Sequence, residues 1–373
     1  MKKLGFGMMR LPLLEADNEA SIDLEQVCSM VDHFLAQGFT YFDTAYMYHE
    51  FKSEVALREA LVKRHARDSF TVADKLPTMF LKTAEDQPRI FQEQLEKCGV
   101  DYFDYYLLHN LNTAHLQIAN RLDSFAFIQS MKEAGKIRHI GFSFHDSAAL
   151  LEDILSAHPE VDFVQLQLNY LDWDNESIQS RKCYETAVRH GKPVVVMEPV
   201  KGGTLANLPS EAAALLHEAN PDMSAASWAI RFAASLEHVM VVLSGMSTPQ
   251  QLADNTQYMK DFQPLTPQEQ EVLQHTVSII QQAIAVPCTA CRYCVDGCPK
   301  HIPIPDYFAL YNAEKQSANA GFSTQRVYYR NYSEKYGRAG DCIACGRCER
   351  SCPQHIHIIE QLKQVSATFD NGQ

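Results

Sequence analysis

Eight short apolar stretches recur through the first 260 residues, spaced so that one amphipathic helix fits between each pair. They fall at 4–9, 40–44, 70–75, 103–109, 137–143, 163–169, 193–198 and 239–245. Helical periodicity marks 24–37, 53–64, 87–98, 123–134, 176–190 and 249–259, and a final helix follows Pro264 and Pro267. Gly38, Gly99, Gly135 and Gly191 stand at helix-to-strand turns, where glycine supplies the left-handed residue that ends a helix. Eight strand–helix units over roughly 250 residues predict a closed parallel (β/α)8 barrel, with an open doubly wound sheet as the alternative. Gly5-Phe6-Gly7 is weak evidence for that alternative, because the third glycine of a dinucleotide loop is missing and the pair lies inside the first strand.

A barrel of this kind carries its chemistry at the C-terminal ends of its strands. Three successive strands end in Asp43, Lys75 and His109, and Tyr48 lies in the loop after the first, before a helix that opens at Ser53. Unrelated caps and surface ion pairs are the plain reading of such residues. Convergence on one mouth is the reading that the barrel adds.

The last 87 residues differ from the rest. Residues 287–373 hold ten Lys/Arg against eight Asp/Glu, which leaves 23 against 38 in the first 286 of a chain with formal net charge −13. That acidity argues against nucleic acid as a partner. Eight of 11 cysteines crowd into the same segment. The start has two lysines but no apolar run, so neither a secretion signal nor a membrane span is expected, and a reducing, cytoplasmic setting favours metal ligation over disulfides. Two domains are expected, a barrel over 1–285 and a small α+β ferredoxin-like domain over 286–373.

Cys288-x2-Cys291-x2-Cys294-x3-Cys298-Pro299 is repeated as Cys342-x2-Cys345-x2-Cys348-x3-Cys352-Pro353. Runs of this form hold [4Fe–4S] clusters, the fourth cysteine of each run serving the other cluster. One cluster is therefore expected on Cys288, Cys291, Cys294 and Cys352, and a second on Cys342, Cys345, Cys348 and Cys298. Structural zinc is the alternative. The aromatic groups between the runs (Tyr307, Phe308, Tyr311; Tyr328, Tyr329, Tyr332) read as helix packing, and Cys28, Cys98 and Cys183 as buried, unreactive thiols.

Phe42-Asp43-Thr44-Ala45 with Tyr48, Lys75 at its strand end, the run from Asp101 to His109, Gly135-Lys136-Ile137-Arg138-His139-Ile140-Gly141-Phe142-Ser143, Val164-Gln165-Leu166-Gln167-Leu168-Asn169-Tyr170, and Val242-Leu243-Ser244-Gly245-Met246 with Gln251 to Asn255 together resemble the aldo-keto reductase family. The resemblance implies hydride transfer between a nicotinamide, NADP(H) or NAD(H), and a small-molecule aldehyde, ketone or alcohol. It implies Tyr48 as general acid, Lys75 lowering the phenol pKa, Asp43 holding Lys75, and His109 orienting the carbonyl. Ser143, Gln165 and Met197 would meet the nicotinamide; Ser244, Gly245, Met246, Gln251 and Asn255 the pyrophosphate and ribose. Phe144 stands where the family has Asn, Met197 where many members have an aromatic ring, and no basic residue occurs in 244–255. These departures leave the choice of nicotinamide open.

Hydride carries two electrons and a cubane one. A flavin could mediate, since a barrel mouth can host one without a motif, and a redox partner protein could use the clusters. The expected function is thus a carbonyl reductase coupled to two clusters. A plain reductase with structural or redox-sensing clusters, and an electron-transfer or docking protein on an inactive barrel, are the alternatives.

Overall fold

The structure is a computed structural model and describes residues 2–175, 178–316 and 324–370. Eight strands form: β1 (Leu4–Gly7), β2 (Tyr41–Asp43), β3 (Thr71–Leu76), β4 (Phe103–Leu111), β5 (Ile137–Phe144), β6 (Phe163–Gln167), β7 (Val194–Met197) and β8 (Val239–Gly245). Each pairs with its chain neighbour, and β1 closes on β8, all in parallel. This is the (β/α)8 barrel that the alternation predicts. By compactness the chain divides into Met1–Val200 with Ala226–Pro267, and Lys201–Ala225 with Gln268–Gln373.

Strand side chains alternate between two environments, which fixes what reaches the barrel interior. Tyr41, Ala73, Leu107, Phe163, Val195, Val241 and Leu243 form one buried cluster inside the barrel. Their strand neighbours Phe42, Val72, Tyr106, Leu108, Val164, Val194, Val196 and Val242 belong to the larger core between strands and helices. Gly5 falls on the inner set: a Cβ there would meet Val241 Cγ1 at 2.7 Å and Leu243 Cδ2 at 2.8 Å. Interior crowding, not a phosphate, explains the glycine of Gly5-Phe6-Gly7.

Among the helices, Leu24–Ala36, Asp86–Cys98, Ser124–Glu133 and Pro249–Lys260 match expectation to within a few residues. The one expected from 176 is seen over Ser180–Arg189; Glu176 and Ser177 lie outside the described residues. The stretch from Ser53 is a short α-helix, Ser53–Leu57, that runs into a π-turn, Arg58–Val62.

In the second unit, helices Pro267–Ala283, Ile304–Gln316, Thr324–Ser333, Arg347–Arg350 and Ile358–Phe369 alternate with cysteine-bearing turns, and no strand occurs among its described residues. Tyr307, Phe308, Tyr311 and Tyr329 lie in its core with Ile358, Leu362, Val365 and Phe369. Tyr329 stacks on Phe369 at 4.8 Å between centroids. The Tyr328 side chain lies outside the described residues. Among the described residues no helix is long and apolar enough to cross a membrane.

Candidate active site and cysteine cavities

Asp43, Lys75 and His109 each occupy the inward-facing set of their strands: Asp43 two residues after Tyr41, Lys75 two after Ala73, His109 two after Leu107. The period of two therefore delivers all three to the same mouth. Lys75 Nζ donates to Asp43 Oδ1 at 2.5 Å and to the Thr44 carbonyl at 2.6 Å. Lys75 is fully buried, and Asp43 and His109 nearly so. Gln94 Nε2 donates to the Lys75 carbonyl at 3.0 Å while Tyr106 donates to Gln94 Oε1, so the strand end is braced from the helix side. Burial raises the Asp43 pKa and the Lys75 charge opposes it. Burial drives the His109 pKa well below its usual value, and the Lys75 charge adds to the effect, so its imidazole is neutral.

Tyr48 joins this group. Lys75 Nζ lies 5.0 Å from its ring centroid, and the His109 ring meets it edge-on at 6.0 Å. The three residues after it, His49, Glu50 and Phe51, all have left-handed φ (52°, 51° and 68°). Each such non-glycine residue costs on the order of 1–2 kcal/mol, and runs of them persist where other contacts hold them. Here the Leu11 N–H donates to His49 Nε2 at 3.1 Å, which leaves the proton on Nδ1 to meet the Glu19 carbonyl at 2.9 Å. The phenol departs from expectation. Burial pushes the Tyr48 pKa well above the phenol value, Asp43, Glu198 and Asp74 push it further, and Arg10 pulls the other way.

Of the residues expected to meet a nicotinamide, Ser143, Gln165 and Met197 share the inward-facing set. Ser143 Oγ accepts the Asn110 N–H at 2.7 Å. Gln165 Nε2 lies 3.6 Å from Met197 Sδ, and its buried Oε1 lacks a partner. The others are differently disposed. Met246 is fully buried in the strand–helix core, so its side chain is packing. Asn255 Nδ2 donates to Ser244 Oγ at 2.8 Å, and Gln251 Oε1 accepts the Ser247 N–H at 2.7 Å. A basic residue from elsewhere in the chain lies beside this stretch. Arg10, just after β1, packs so closely that a Cβ on Gly245 would meet its side chain at 3.1 Å. The sequence reading missed Arg10 because its nearness depends on β1 pairing with β8.

The cysteines surround two cavities. Cys288, Cys291, Cys294 and Cys352 line one. Cys298, Cys342, Cys345 and Cys348 line the other. The two runs repeat each other in backbone as well as sequence. Ala290 and Ala344, Arg292 and Gly346, and His301 and His355 all have left-handed φ at matching positions. Left-handed residues interleaved with ordinary ones turn successive N–H groups toward a common centre, as in anion-binding nests. Among the described residues no three His, Cys, Asp or Glu side chains close on a single metal ion. Thiols spread around a cavity suit a cubane, whose corners lie apart, better than a tetrahedral zinc. Burial raises the Cys288 and Cys348 thiols to about 11, so loading must release their protons. Burial likewise raises Cys98 well above, and Cys183 to about 12, as expected of inert thiols.

A closed parallel barrel with a lysine-centred polar mouth, followed by a duplicated four-cysteine segment, defines a barrel oxidoreductase with an iron–sulfur domain. Residues 3–276 match the model of the aldo/keto reductase family, and the chain belongs to that family. Residues 287–357 match a 4Fe-4S dicluster domain, so the chain also carries iron–sulfur clusters. A probable aldo-keto reductase of Glycine max is 26% identical over 190 residues, 47% of this chain and 50% of its own length. An aldo-keto reductase of Mycolicibacterium vanbaalenii is 28% identical over 260 residues, covering 68% of this chain and 81% of its own. An aldo/keto reductase from Klebsiella pneumoniae, solved with NADP and acetate, superposes with a TM-score of 0.59 at 18% identity, over 73% of this chain and 90% of its own.

Proposed function

We propose that this chain reduces a small-molecule aldehyde or ketone, or oxidises the corresponding alcohol, with a nicotinamide cofactor, and that the reaction is coupled to two [4Fe–4S] clusters. The observation that carries the proposal is the convergence of the buried Lys75–Asp43 pair, the Tyr48 ring and the neutral His109 at one mouth. NADP(H) is the favoured cofactor, since the Klebsiella pneumoniae enzyme binds NADP and Arg10 offers a cation beside Gly245. Gln165, with a buried unpaired oxygen, suits the carboxamide of a nicotinamide. When bound, that cofactor supplies a hydride.

The chain's own residues supply the rest. A carbonyl carbon that gains hydride leaves an alkoxide oxygen, which is more basic than a phenolate. Tyr48, kept protonated by burial, gives that oxygen its proton. Neutral His109 orients the same oxygen by hydrogen bonding, and Lys75 stabilises the phenolate left behind. Solvent then returns a proton to Tyr48. The two groups of four cysteines would hold the clusters, which pass single electrons when loaded. A reducing, cytoplasmic setting is the one in which eight cysteines would stay available for cluster ligation.

Under strictly anaerobic conditions, Tyr48→Phe is expected to lower carbonyl reduction ~10²–10⁴-fold while keeping the brown chromophore and full iron. Unchanged turnover in that variant would remove the site. NADPH added without substrate is expected to bleach the wild-type clusters, with an assay for bound flavin alongside. Clusters that stay oxidised during rapid turnover would leave carbonyl reduction standing and remove the coupling.

A further inference from the structure

We propose that Lys201 and Gln354 form a buried donor pair that raises the reduction potential of the cluster held by Cys288, Cys291, Cys294 and Cys352, an assignment that rests on the cluster reading above. Lys201 is 1% exposed, and its Nζ donates to Gln354 Oε1 at 3.0 Å. A lysine can only donate, so it fixes the amide oxygen toward itself and the NH2 group away. That Nε2 is buried and has no hydrogen-bond partner. Gln354 is 6% exposed and lines the cavity with the four cysteines. A buried N–H is penalised until it finds an acceptor, and a sulfur of the cluster is the acceptor this cavity would contain.

The backbone holds the pair in place. Lys201 and Gly202 both have left-handed φ (50° and 64°). A Cβ on Gly202 would collide with the backbone of Thr289, the residue after Cys288, so the turn at 201–206 lies directly against the first cysteine run. The second cavity, built on the duplicate turns, is lined beyond its cysteines largely by apolar side chains, and its lysine, Lys300, is exposed. An exposed charge is screened by water and salt; a buried one is not. One-electron reduction adds negative charge to a cluster, and a buried cation with a buried, unpaired N–H stabilises the reduced form more than the oxidised one. Two clusters on near-identical turns are thereby made unequal.

Wild-type protein, Lys201→Met, Lys201→Arg and Gln354→Leu are reconstituted anaerobically. Their iron is counted, and both clusters are titrated potentiometrically by EPR. Lys201→Met is expected to weaken reduction of one cluster about tenfold, ~59 mV for a one-electron couple. Gln354→Leu should move the same wave by less, Lys201→Arg should keep most of the potential, and the other wave should stay put. Unmoved waves in iron-replete variants would overturn the proposal. So would equal movement of both waves, or iron loss as the only effect of Lys201→Met and Gln354→Leu. Wild-type protein that takes up no [4Fe–4S] would refute the cysteine assignment instead.

Discussion

Tyr48 is protonated and His109 neutral for the same reason: both titrate where water is excluded. The signs give a pH profile. The Tyr48 pKa is raised, so the phenol remains an acid throughout the neutral range. Carbonyl reduction should then be nearly flat in kcat/KM between about pH 6 and 9. Alcohol oxidation needs the phenolate and should climb with pH without a plateau over that range. His109 has a lowered pKa, so the unfolded chain takes up that proton first. Its contribution to stability is complete above the ordinary histidine value of 6.5 and falls as pH drops below it. Initial rates in both directions across pH check this. A reduction rate that falls with an apparent pKa between 6 and 8 would contradict the protonation states. Asp43, Lys75 and His109 were legible in the sequence because a period of two projects them inward. The Tyr48 pKa was not, since it depends on burial and on Glu198 and Arg10, brought in by distant strands.

At the scale of elements, the left-handed turn at 49–51 does what a helix could not. It follows Tyr48 directly and stays in place because His49 bridges Leu11 and Glu19. His49→Ala would leave the Leu11 N–H buried without an acceptor, at a cost of ~1–3 kcal/mol. That variant should unfold at lower denaturant and lose kcat more than it raises KM, because it frees the Tyr48 backbone rather than the substrate pocket. Parallel denaturation and steady-state kinetics test it, and a stable, fully active variant would show that the turn is held by other contacts. Alternation and helical period made the strand–helix order readable. They do not encode three successive left-handed residues without a glycine, which only the packing of His49 explains.

For the whole molecule, the compact division assigns Lys201–Ala225 with Gln268–Gln373. The cysteine segment has its own apolar core, yet its two cavities lie within that small unit, and cluster binding should contribute much of its folding free energy. Removing iron with a chelator is therefore expected to open 286–370 to limited proteolysis, and 201–225 with it, while 2–200 stays protected by the barrel core. Peptide mapping of the digests decides this. Cleavage confined to 286–370 would separate the two segments, and no new cleavage would mean that the unit folds without metal.

Residue chemistry and spacing alone determined the barrel and pointed to the three strand-end side chains and the two sets of four cysteines, because each rests on a local period or a short motif. Only the tertiary structure decided that Arg10 reaches Gly245, that burial keeps Tyr48 protonated, and that Lys201 meets Gln354 across 153 residues of chain. Each of those depends on barrel closure or on exclusion of water, and neither is written in any one stretch of sequence.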